Sequence, residues 1–303
     1  MSAPTVSRVG RFLDAIPWAY TTAPCRALGF DFAVRVMDPV LGSYLDQILV
    51  PSSRSGPPQH LYSLVDRGPG VYRRFPLFFD DVRIGLLKDP GFALSYLLWH
   101  VNQEVVERTS DLLLIHASAV EHEGTGLLFP APMESGKTTL AAGLVQAGLR
   151  YVTDEAVAID PSSLRVQPYP KALSVDPGSW EVLAALRPQV GKDLAPYLGA
   201  QWHVRPQDIR AGAVAPACTP GFVIAPHYDR DATTSLQPMR RAEALSVLVE
   251  NSFNLNRHGA LGFQALARVV AGCRCYRLTV GDLSDACRLI LGLLHDKEGK
   301  VAC

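Results

Sequence analysis

Neither sign of charge dominates this sequence, and it has no long apolar run. Its 303 residues contain 29 Lys and Arg and 29 Asp and Glu. Balanced charge provides no broad positive field for nucleic acid or anionic lipid, so we expect neither as a partner. No stretch approaches about 18 uncharged apolar residues, and the N-terminal segment lacks a signal-peptide-like run. We therefore expect a cytoplasmic protein that does not enter a membrane.

Cysteine is sparse and shows no metal-binding spacing. The six cysteines form no Cys-x-x-Cys pair and have no partnering His cluster, which predicts reduced, mostly buried thiols and no zinc site. Apolar residues make up 48% of the chain, enough for one large core or for a core with a smaller lobe.

The most informative segment is 127–139, which reads Leu-Leu-Phe-Pro-Ala-Pro-Met-Glu-Ser-Gly-Lys-Thr-Thr. An apolar strand that runs into Gly-Lys-Thr and then a helix is typical of a phosphate-binding loop. In such a loop Lys137 would reach the β- and γ-oxygens of a nucleotide, and Thr138 would ligate Mg²⁺. The full pattern has Gly where this chain has Ala131, followed by Pro132, so the loop entry is less free and has one donor fewer.

Helical periodicity after the loop supports this interpretation. Apolar residues recur from Leu140 to Val145 with the period of a helix packed on a sheet, and Gly148 then ends the pattern. The alternative is an ordinary strand-to-helix turn with a helix-starting Ser135. The expected nucleotide contacts are Glu134, Ser135, Gly136, Lys137, Thr138 and Thr139.

An acidic pair follows the predicted helix. Asp154 and Glu155 precede the apolar residues 156–159, which predict a second parallel strand beside the first. Carboxylates there would face the phosphate loop, where a metal needs an oxygen ligand and an acceptor hydroxyl needs a base. The alternative is a solvated surface pair with no role in chemistry.

A β-hairpin with a Gly-containing turn is predicted just before the loop, over residues 112–129. His116 lies in its apolar first arm, where a histidine is more often a hydrogen-bonded core residue than a catalyst. The residues alone therefore favour a structural role for His116.

The order of hairpin, loop, helix and acidic pair resembles the catalytic core of HPr kinase/phosphorylase. The chain is similar over about residues 25–295 to HPr-kinase-related proteins that lack the regulatory N-terminal domain. The resemblance implies an α/β fold with a P-loop kinase core of the HPr kinase and phosphoenolpyruvate carboxykinase type at residues 106–303. A smaller mixed α+β lobe would occupy residues 1–105 and could bind the acceptor.

The resemblance also implies roles for individual residues. His116 would lie beside the acidic pair and assist it, which reverses the expectation from the residues alone. Asp154 and Glu155 fall on two family aspartates, one linked to the metal and the other acting as base. We place Mg²⁺ at Thr138 and Asp154. Because the second position is Glu, the choice of base between the two acids stays open.

The family further supplies an arginine, from a loop after the acidic strands, that neutralises charge on the transferring phosphoryl group. Arg205 is the first candidate and Arg210 the second, in a stretch with no clear helix or strand period. Lys171 is a weaker candidate for phosphate contact.

The expected function is therefore an ATP- and Mg²⁺-dependent kinase that phosphorylates a hydroxyl. The expected acceptor is a serine or threonine of a peptide or protein, as in peptide natural-product biosynthesis, with a small-molecule alcohol as the alternative. Phosphorolysis is not expected, because its signature segment is missing. The family's core is oligomeric, and this sequence shows no interface stripe that decides whether this chain forms a homo-oligomer.

Two other classes of function compete with the kinase. One is a nucleotide-binding scaffold or switch without catalysis, supported by Ala131 and Pro132 at the loop entry. The other is a lyase resembling ATP-type phosphoenolpyruvate carboxykinase, which would need a second metal site of Lys, His and Asp that the sequence does not show.

Two polar segments later in the chain have open interpretations. Asn251 and Asn254 could line an acceptor pocket or cap helix carbonyls. His227 and Tyr228 could face the site or simply end a strand. Periodicity elsewhere predicts strands at 30–36, 60–65 and 82–87 and helices at 93–107, 242–253, 261–271 and 283–294.

Overall fold

The structure is a computed structural model that describes residues 7–53, 56–68 and 70–295. Five cysteines in these ranges are buried free thiols, as the sequence predicts, and Cys303 lies outside the described residues. No helix in the described ranges is both long and apolar enough to cross a membrane.

The chain forms two compact units. The first comprises the described residues of Met1–Thr109 and Pro188–His203, and the second those of Ser110–Arg187 and Val204–Cys303. The segment Pro188–His203 therefore belongs to the first unit, although the sequence analysis places it in the second domain.

A six-stranded sheet forms the centre of the first unit. Its strand order is β1-β3-β4-β5-β6, with β2 beside β3, and only β3 and β4 among these neighbours run parallel in the described residues. These positions confirm the strands and the helix predicted for this part of the chain. The elements are α1 (Arg8–Asp14), β1 (Tyr20–Thr21), β2 (Cys25–Ala27), β3 (Phe30–Val36), α2 (Pro39–Ile48), β4 (His60–Leu64), β5 (Phe75–Phe79), β6 (Val82–Leu87) and α3 (Pro90–Arg108).

Local sequence explains where two of these helices begin. The side chains of Asp38 and Asp89 accept hydrogen bonds from backbone N–H groups in the first turns of α2 and α3. Each aspartate is followed by a proline at the first helical position, where the missing N–H costs nothing.

The second unit contains an eight-stranded mixed sheet and is α/β, as expected for the fold class. The strand order is β11-β10-β7-β8-β14-β16-β15, with β9 also paired to β7. Strands β8, β14 and β16 are parallel to one another. The elements are β7 (Leu113–His122), β8 (Thr125–Pro130), α4 (Lys137–Gln146), β9 (Arg150–Thr153), β10 (Ala156–Ile159), β11 (Val166–Gln167), β12 (Leu173–Val175), α5 (Pro206–Ile209), β14 (Thr219–Tyr228), β15 (Ser235–Pro238), α6 (Arg241–Glu250), α7 (Leu255–Gly272), β16 (Arg274–Val280) and α8 (Leu283–His295). Strand β13 (Trp202–Val204) begins in the last two residues of Pro188–His203 and ends at Val204.

Helices cover both faces of this sheet. Ile115, Ala117 and Ala119 of β7 pack into a buried core shared with apolar residues of α6 and α7. Helix α4 contacts β7 and α8, and α8 also packs on β15 and β16. Because side chains alternate along a strand, His116 and Ser118 lie on the α4 face of β7. The predicted helices at the C-terminal end are confirmed as α6, α7 and α8.

The predicted strand after α4 has a different neighbour from the one expected. Strands β9 and β10 pair antiparallel with β7, so the prediction of a parallel strand directly beside β8 is wrong. Strand β7, the ten-residue hairpin partner of β8, lies between β8 and the two strands β9 and β10. It pairs with β8 along one edge and with β9 and β10 along the other. Because β9 is antiparallel to β7 and β7 is antiparallel to β8, β9 runs in the same direction as β8. The carboxyl end of β9 therefore lies at the same edge of the sheet as the loop that follows β8.

The hairpin turn is tied to the sheet by a buried carboxylate. Glu123 and Gly124 both have positive φ, of 47° and 84°, which suits a two-residue hairpin turn. The fully buried Glu121 accepts hydrogen bonds from the Gly124 N–H and from Arg150, whose Nη2 lies 2.8 Å from Oε1. Burial alone would raise the pKa of Glu121, but the hydrogen bonds and charge of Arg150 and the Gly124 amide outweigh it and lower the pKa.

Removing this carboxylate should destabilise the second unit. We expect Glu121→Ala to reduce the free energy of unfolding by about 2 kcal/mol at neutral pH, because a buried amide and a guanidinium lose their acceptor. A group whose pKa is lowered by folding contributes stability that is lost as pH falls, so the difference should shrink below about pH 4. Chemical denaturation at several pH values measures it. Glu181→Ala, at an exposed position, is the control, and an equal loss in both variants would contradict the assignment.

Candidate active site

The predicted phosphate loop connects β8 to the N terminus of α4. Glu134 and Gly136 have left-handed φ values of 62° and 81°, which turn the chain sharply before the helix. Gly136 is the N-cap and no side-chain hydrogen bond caps α4 in the described structure, so the first helical amides remain open to an anion. Ala131 has an ordinary negative φ. The missing glycine therefore introduces no backbone strain at the loop entry.

Lys137 lies across the inside of the loop. Its buried ammonium Nζ donates to Ala131 O at 2.9 Å and to Pro132 O at 2.6 Å. Burial lowers the pKa of Lys137 to about 8, and the negative charges of Glu155 and Asp154 partly offset that effect. The same ammonium is thus within electrostatic reach of the loop and of the acidic pair.

Asp154 is held by donors on every side. Its Oδ1 accepts from Tyr151 Oη and pairs with Lys171 Nζ, each at 2.7 Å. Its Oδ2 accepts from the Ser174 N–H at 3.1 Å and from Thr138 Oγ1 at 3.3 Å. The carboxylate is buried, so these contacts fix its position against the first turn of α4.

Glu155 differs from its neighbour. Its side chain is half-buried, and its carboxyl group makes no hydrogen bond with any described residue. Burial raises the pKa of Glu155, with the Lys171 charge opposing this effect and the Asp154 charge adding to it. A carboxyl group of raised pKa without a fixed partner is suited to accept a proton.

His116 lies on the α4 face of β7, as its alternation requires. In the register of β7 with β10, His116 is opposite Ala156, the residue that follows Glu155 in the chain. The centroid of its ring is 5.3 Å from that of Phe253. Burial, and then the charge of Lys137, lower the pKa of His116 to about 4. The imidazole is therefore neutral at physiological pH and lies within electrostatic reach of Lys137.

Three other residues were predicted to contact the nucleotide: Glu134, Ser135 and Thr139. Ser135 Oγ donates to Pro132 O at 2.7 Å, and Thr139 Oγ1 is 2.6 Å from Ser179 Oγ. Glu134 is exposed at the loop surface. Ser135 is not the helix cap of the alternative interpretation, because its hydroxyl donates within the loop.

The two arginine candidates lie in different places. Arg210 donates to Gly148 O and Leu149 O, each at 2.9 Å, which places it at the end of α4 opposite the loop, about 15 Å away along the axis. Arg205 occupies the N-cap position of α5, a short helix that packs on α4. Its guanidinium Nε donates to Asp208 Oδ2 at 2.7 Å. Lys171 forms the ion pair with Asp154 that neither arginine makes in the described structure.

Several contributors to the site have no clear sequence signal. Tyr151 lies on β9, three residues before Asp154, whereas the Ser174 amide comes from β12, a strand of a separate two-stranded sheet. The Tyr-Pro-Lys-Ala-Leu segment that contains Lys171 gives no sign that Asp154 is its partner. The two asparagines act structurally: Asn251 Nδ2 caps Val247 O at 2.8 Å, and Asn254 bonds the backbone of Leu112 and Leu114.

The oxygen atoms of Thr138 and Asp154 are the donors available for a hard cation. Mg²⁺ prefers such oxygens and keeps water or phosphate in its other positions. No group of three or more His, Cys, Asp or Glu in the described residues could hold a metal ion, so a cation here would depend on a bound phosphate. The residues fit Mg²⁺ that arrives with a nucleotide.

Comparison with known proteins assigns no family to the chain. No protein-family model matches it, and no curated protein matches it significantly. Any functional conclusion must therefore come from the arrangement of Lys137, Asp154, Glu155, His116 and Lys171.

Proposed function

We propose that the second unit is an ATP-dependent kinase of the HPr-kinase-like type that phosphorylates a serine or threonine of a peptide or protein. The observation that carries the proposal is the position of Lys137. Its ammonium lies on the loop carbonyls and interacts electrostatically with both Asp154 and Glu155. A phosphate-binding loop and a pair of acids at one site are the parts that phosphoryl transfer requires.

The loop would bind the triphosphate mainly through its backbone. Amide N–H groups from Glu134 to Thr138 and the positive end of the α4 dipole would contact the phosphates. Lys137 would exchange two carbonyl oxygens for phosphate oxygens, which are stronger acceptors. Thr138 and Asp154 would hold Mg²⁺, which offsets charge on the phosphates when bound.

The two acids would divide the chemistry. Asp154, fixed by four donors, suits metal positioning, whereas the Glu155 carboxyl group, which makes no hydrogen bond with any described residue, suits the base. Glu155 would take the proton of the acceptor hydroxyl, whose oxygen forms the new bond to the γ-phosphorus as the bond to the β–γ bridging oxygen breaks and ADP departs. The neutral His116 would orient Glu155 or the incoming hydroxyl.

Lys171 would supply positive charge next to this reaction. Its Nζ lies 2.7 Å from Asp154 and opposes the pKa rise of Glu155. Buried cations stabilise developing charge far more than exposed ones, because the surroundings are less polar. We therefore assign to Lys171 the role that the resemblance gives to an arginine such as Arg205.

A switch without catalysis would need the loop but not Glu155. A half-buried glutamate of raised pKa costs stability, so its position beside the loop favours the kinase. Incubation with MgATP and serine- or threonine-containing peptides, including polypeptides encoded beside this gene, tests the proposal by mass spectrometry. An added phosphate supports transfer, whereas nucleotide binding without a mass shift on any acceptor contradicts it.

Lys137→Ala and Lys137→Met should abolish the mass shift. Each variant removes the ammonium that would reach the β- and γ-oxygens, and we expect transfer to fall at least about a hundredfold. Circular dichroism and thermal unfolding would check that the variants fold. Lys192→Ala, at an exposed lysine, should behave as wild type. Transfer that persists in both Lys137 variants would place the triphosphate elsewhere.

Glu155→Gln should lower kcat while leaving MgATP affinity nearly unchanged. A base must be deprotonated, so wild-type kcat should fall as pH drops through the Glu155 pKa, which burial raises above its ordinary value. Asp154→Asn should instead weaken Mg²⁺ binding, so that a higher Mg²⁺ concentration is needed to reach half of the maximal rate. Rate–pH profiles and Mg²⁺ titrations separate the two. If Asp154→Asn alone removed the acidic limb of the profile, the roles would be reversed.

Lys171→Met should reduce transfer by roughly a hundredfold, and Arg205→Ala by less than about threefold. The Lys171 variant should also lose about 3 kcal/mol of stability, because Asp154 is left buried without its cation. Adding Asp154→Asn to Lys171→Met should restore part of that stability. Steady-state kinetics and urea denaturation provide both readouts. A large loss in Arg205→Ala with little effect of Lys171→Met would return the role to Arg205.

A further inference from the structure

Tyr228 is the last residue of β14, the parallel neighbour of β8 on the side away from β7. Its register with β16 is regular from Phe222 to Tyr228, so alternation can be counted along the strand. Val223 packs into the core under α6 and α7. Tyr228, five residues later, therefore points to the other face, which α4 and α8 cover.

The side chain of Tyr228 begins next to the phosphate loop. An ideal Cβ position at Gly136, the N-cap of α4, is 3.7 Å from Tyr228 Cβ, which is ordinary van der Waals contact. Tyr228 is nevertheless 49% exposed. A large aromatic side chain is thus accessible beside the open amides of the helix, where burial against protein would be the usual outcome.

The chain after Tyr228 is well supported. The Asp229 N–H donates to Val280 O at 3.0 Å, and Thr234 Oγ1 accepts from the amides of Gly281 and Asp282 at 3.0 and 2.8 Å. A Cβ at Gly281 would be 1.9 Å from Ala232 O, so only glycine allows this close approach. The backbone that presents Tyr228 is therefore held in place before any ligand binds.

Sheet order gives the direction of a bound nucleotide. The acids Asp154 and Glu155 follow β9, on the β7 side of β8, whereas Tyr228 ends β14 on the opposite side. Ligands of α/β sheets lie across the carboxyl ends of the strands. With the γ-phosphate at the acids, the other end of the ligand extends toward β14.

We propose that Tyr228 is the stacking platform for the nucleotide base. This inference rests on the proposed function, because it requires the triphosphate to occupy the loop. A tyrosine ring offers a flat apolar face to any base, and a purine covers more of it than a pyrimidine does. The residue would contribute to nucleotide affinity and to purine preference without touching the transferring phosphoryl group. His227, on the opposite face of β14, would take no part.

Comparing ATP with inorganic tripolyphosphate tests the platform separately from the loop. Calorimetric titration with Mg²⁺ present would give Kd for both ligands in wild type, Tyr228→Phe and Tyr228→Ala. We expect Tyr228→Ala to weaken ATP binding roughly tenfold and to leave tripolyphosphate binding unchanged. Tyr228→Phe, which keeps the ring, should bind both ligands as wild type does. CTP should be affected less than ATP by Tyr228→Ala.

The control is Tyr72→Ala, at a 75% exposed tyrosine of the first unit, which should change neither Kd. Unchanged Kd values for both ligands in Tyr228→Ala would overturn the platform. Equal weakening of ATP and tripolyphosphate would also overturn it, since Tyr228 would then support only the loop. If wild type bound neither ligand, the proposed function would fail as well, an outcome distinct from the other two.

Discussion

The buried contact between Lys171 and Asp154 is the interaction on which the candidate site depends. A carboxylate in this position would be strongly destabilising alone, because burial removes it from water. That loss is compensated by the Lys171 Nζ at 2.7 Å, the Tyr151 hydroxyl and the Ser174 amide. The Oδ2 atom of Asp154 also accepts a hydrogen bond from the Thr138 hydroxyl at the first turn of α4. Once Asp154 is fixed, Glu155 is held beside it, and its carboxyl group makes no hydrogen bond within the described part of the chain. The different roles that we propose for these adjacent acids rest on this difference in surroundings.

Strand pairing brings the phosphate loop and the acids to one place. β7 pairs with β8 on one edge and with β9 and β10 on the other, and its ten residues are long enough to serve both. Glu121 ties the hairpin turn to Arg150 at the opposite end of the same strands. Glu121 lies near the hairpin-turn end of β7, whereas the candidate acids lie beside its middle, between the segments that pair with β9 and with β10. Lys137 and Lys171 provide positive charge near these acids.

Local patterns were sufficient to predict the elements but not their neighbours. The loop, α4, the hairpin and the three C-terminal helices each have a signal within a few turns of chain, and the structure contains all of them. The order of strands depends on pairing between distant segments, so the strand beside β8 was predicted incorrectly. For the same reason the sequence does not show the contact of Lys171 with Asp154, 17 positions earlier, or the proximity of Tyr228 to Gly136 on another element. Arg205, the first candidate from the resemblance, forms an ion pair with the nearby Asp208.

The central claim is that the turn before α4 binds a triphosphate through its amides while Lys137 moves to the phosphates. A crystal structure of the chain with Mg²⁺ and a non-hydrolysable ATP analogue tests this directly. We expect phosphate oxygens within hydrogen-bonding distance of the amides from Glu134 to Thr138, with Lys137 Nζ transferred from Ala131 O and Pro132 O to those oxygens. An analogue bound elsewhere, with Lys137 still on the two carbonyls, would contradict it.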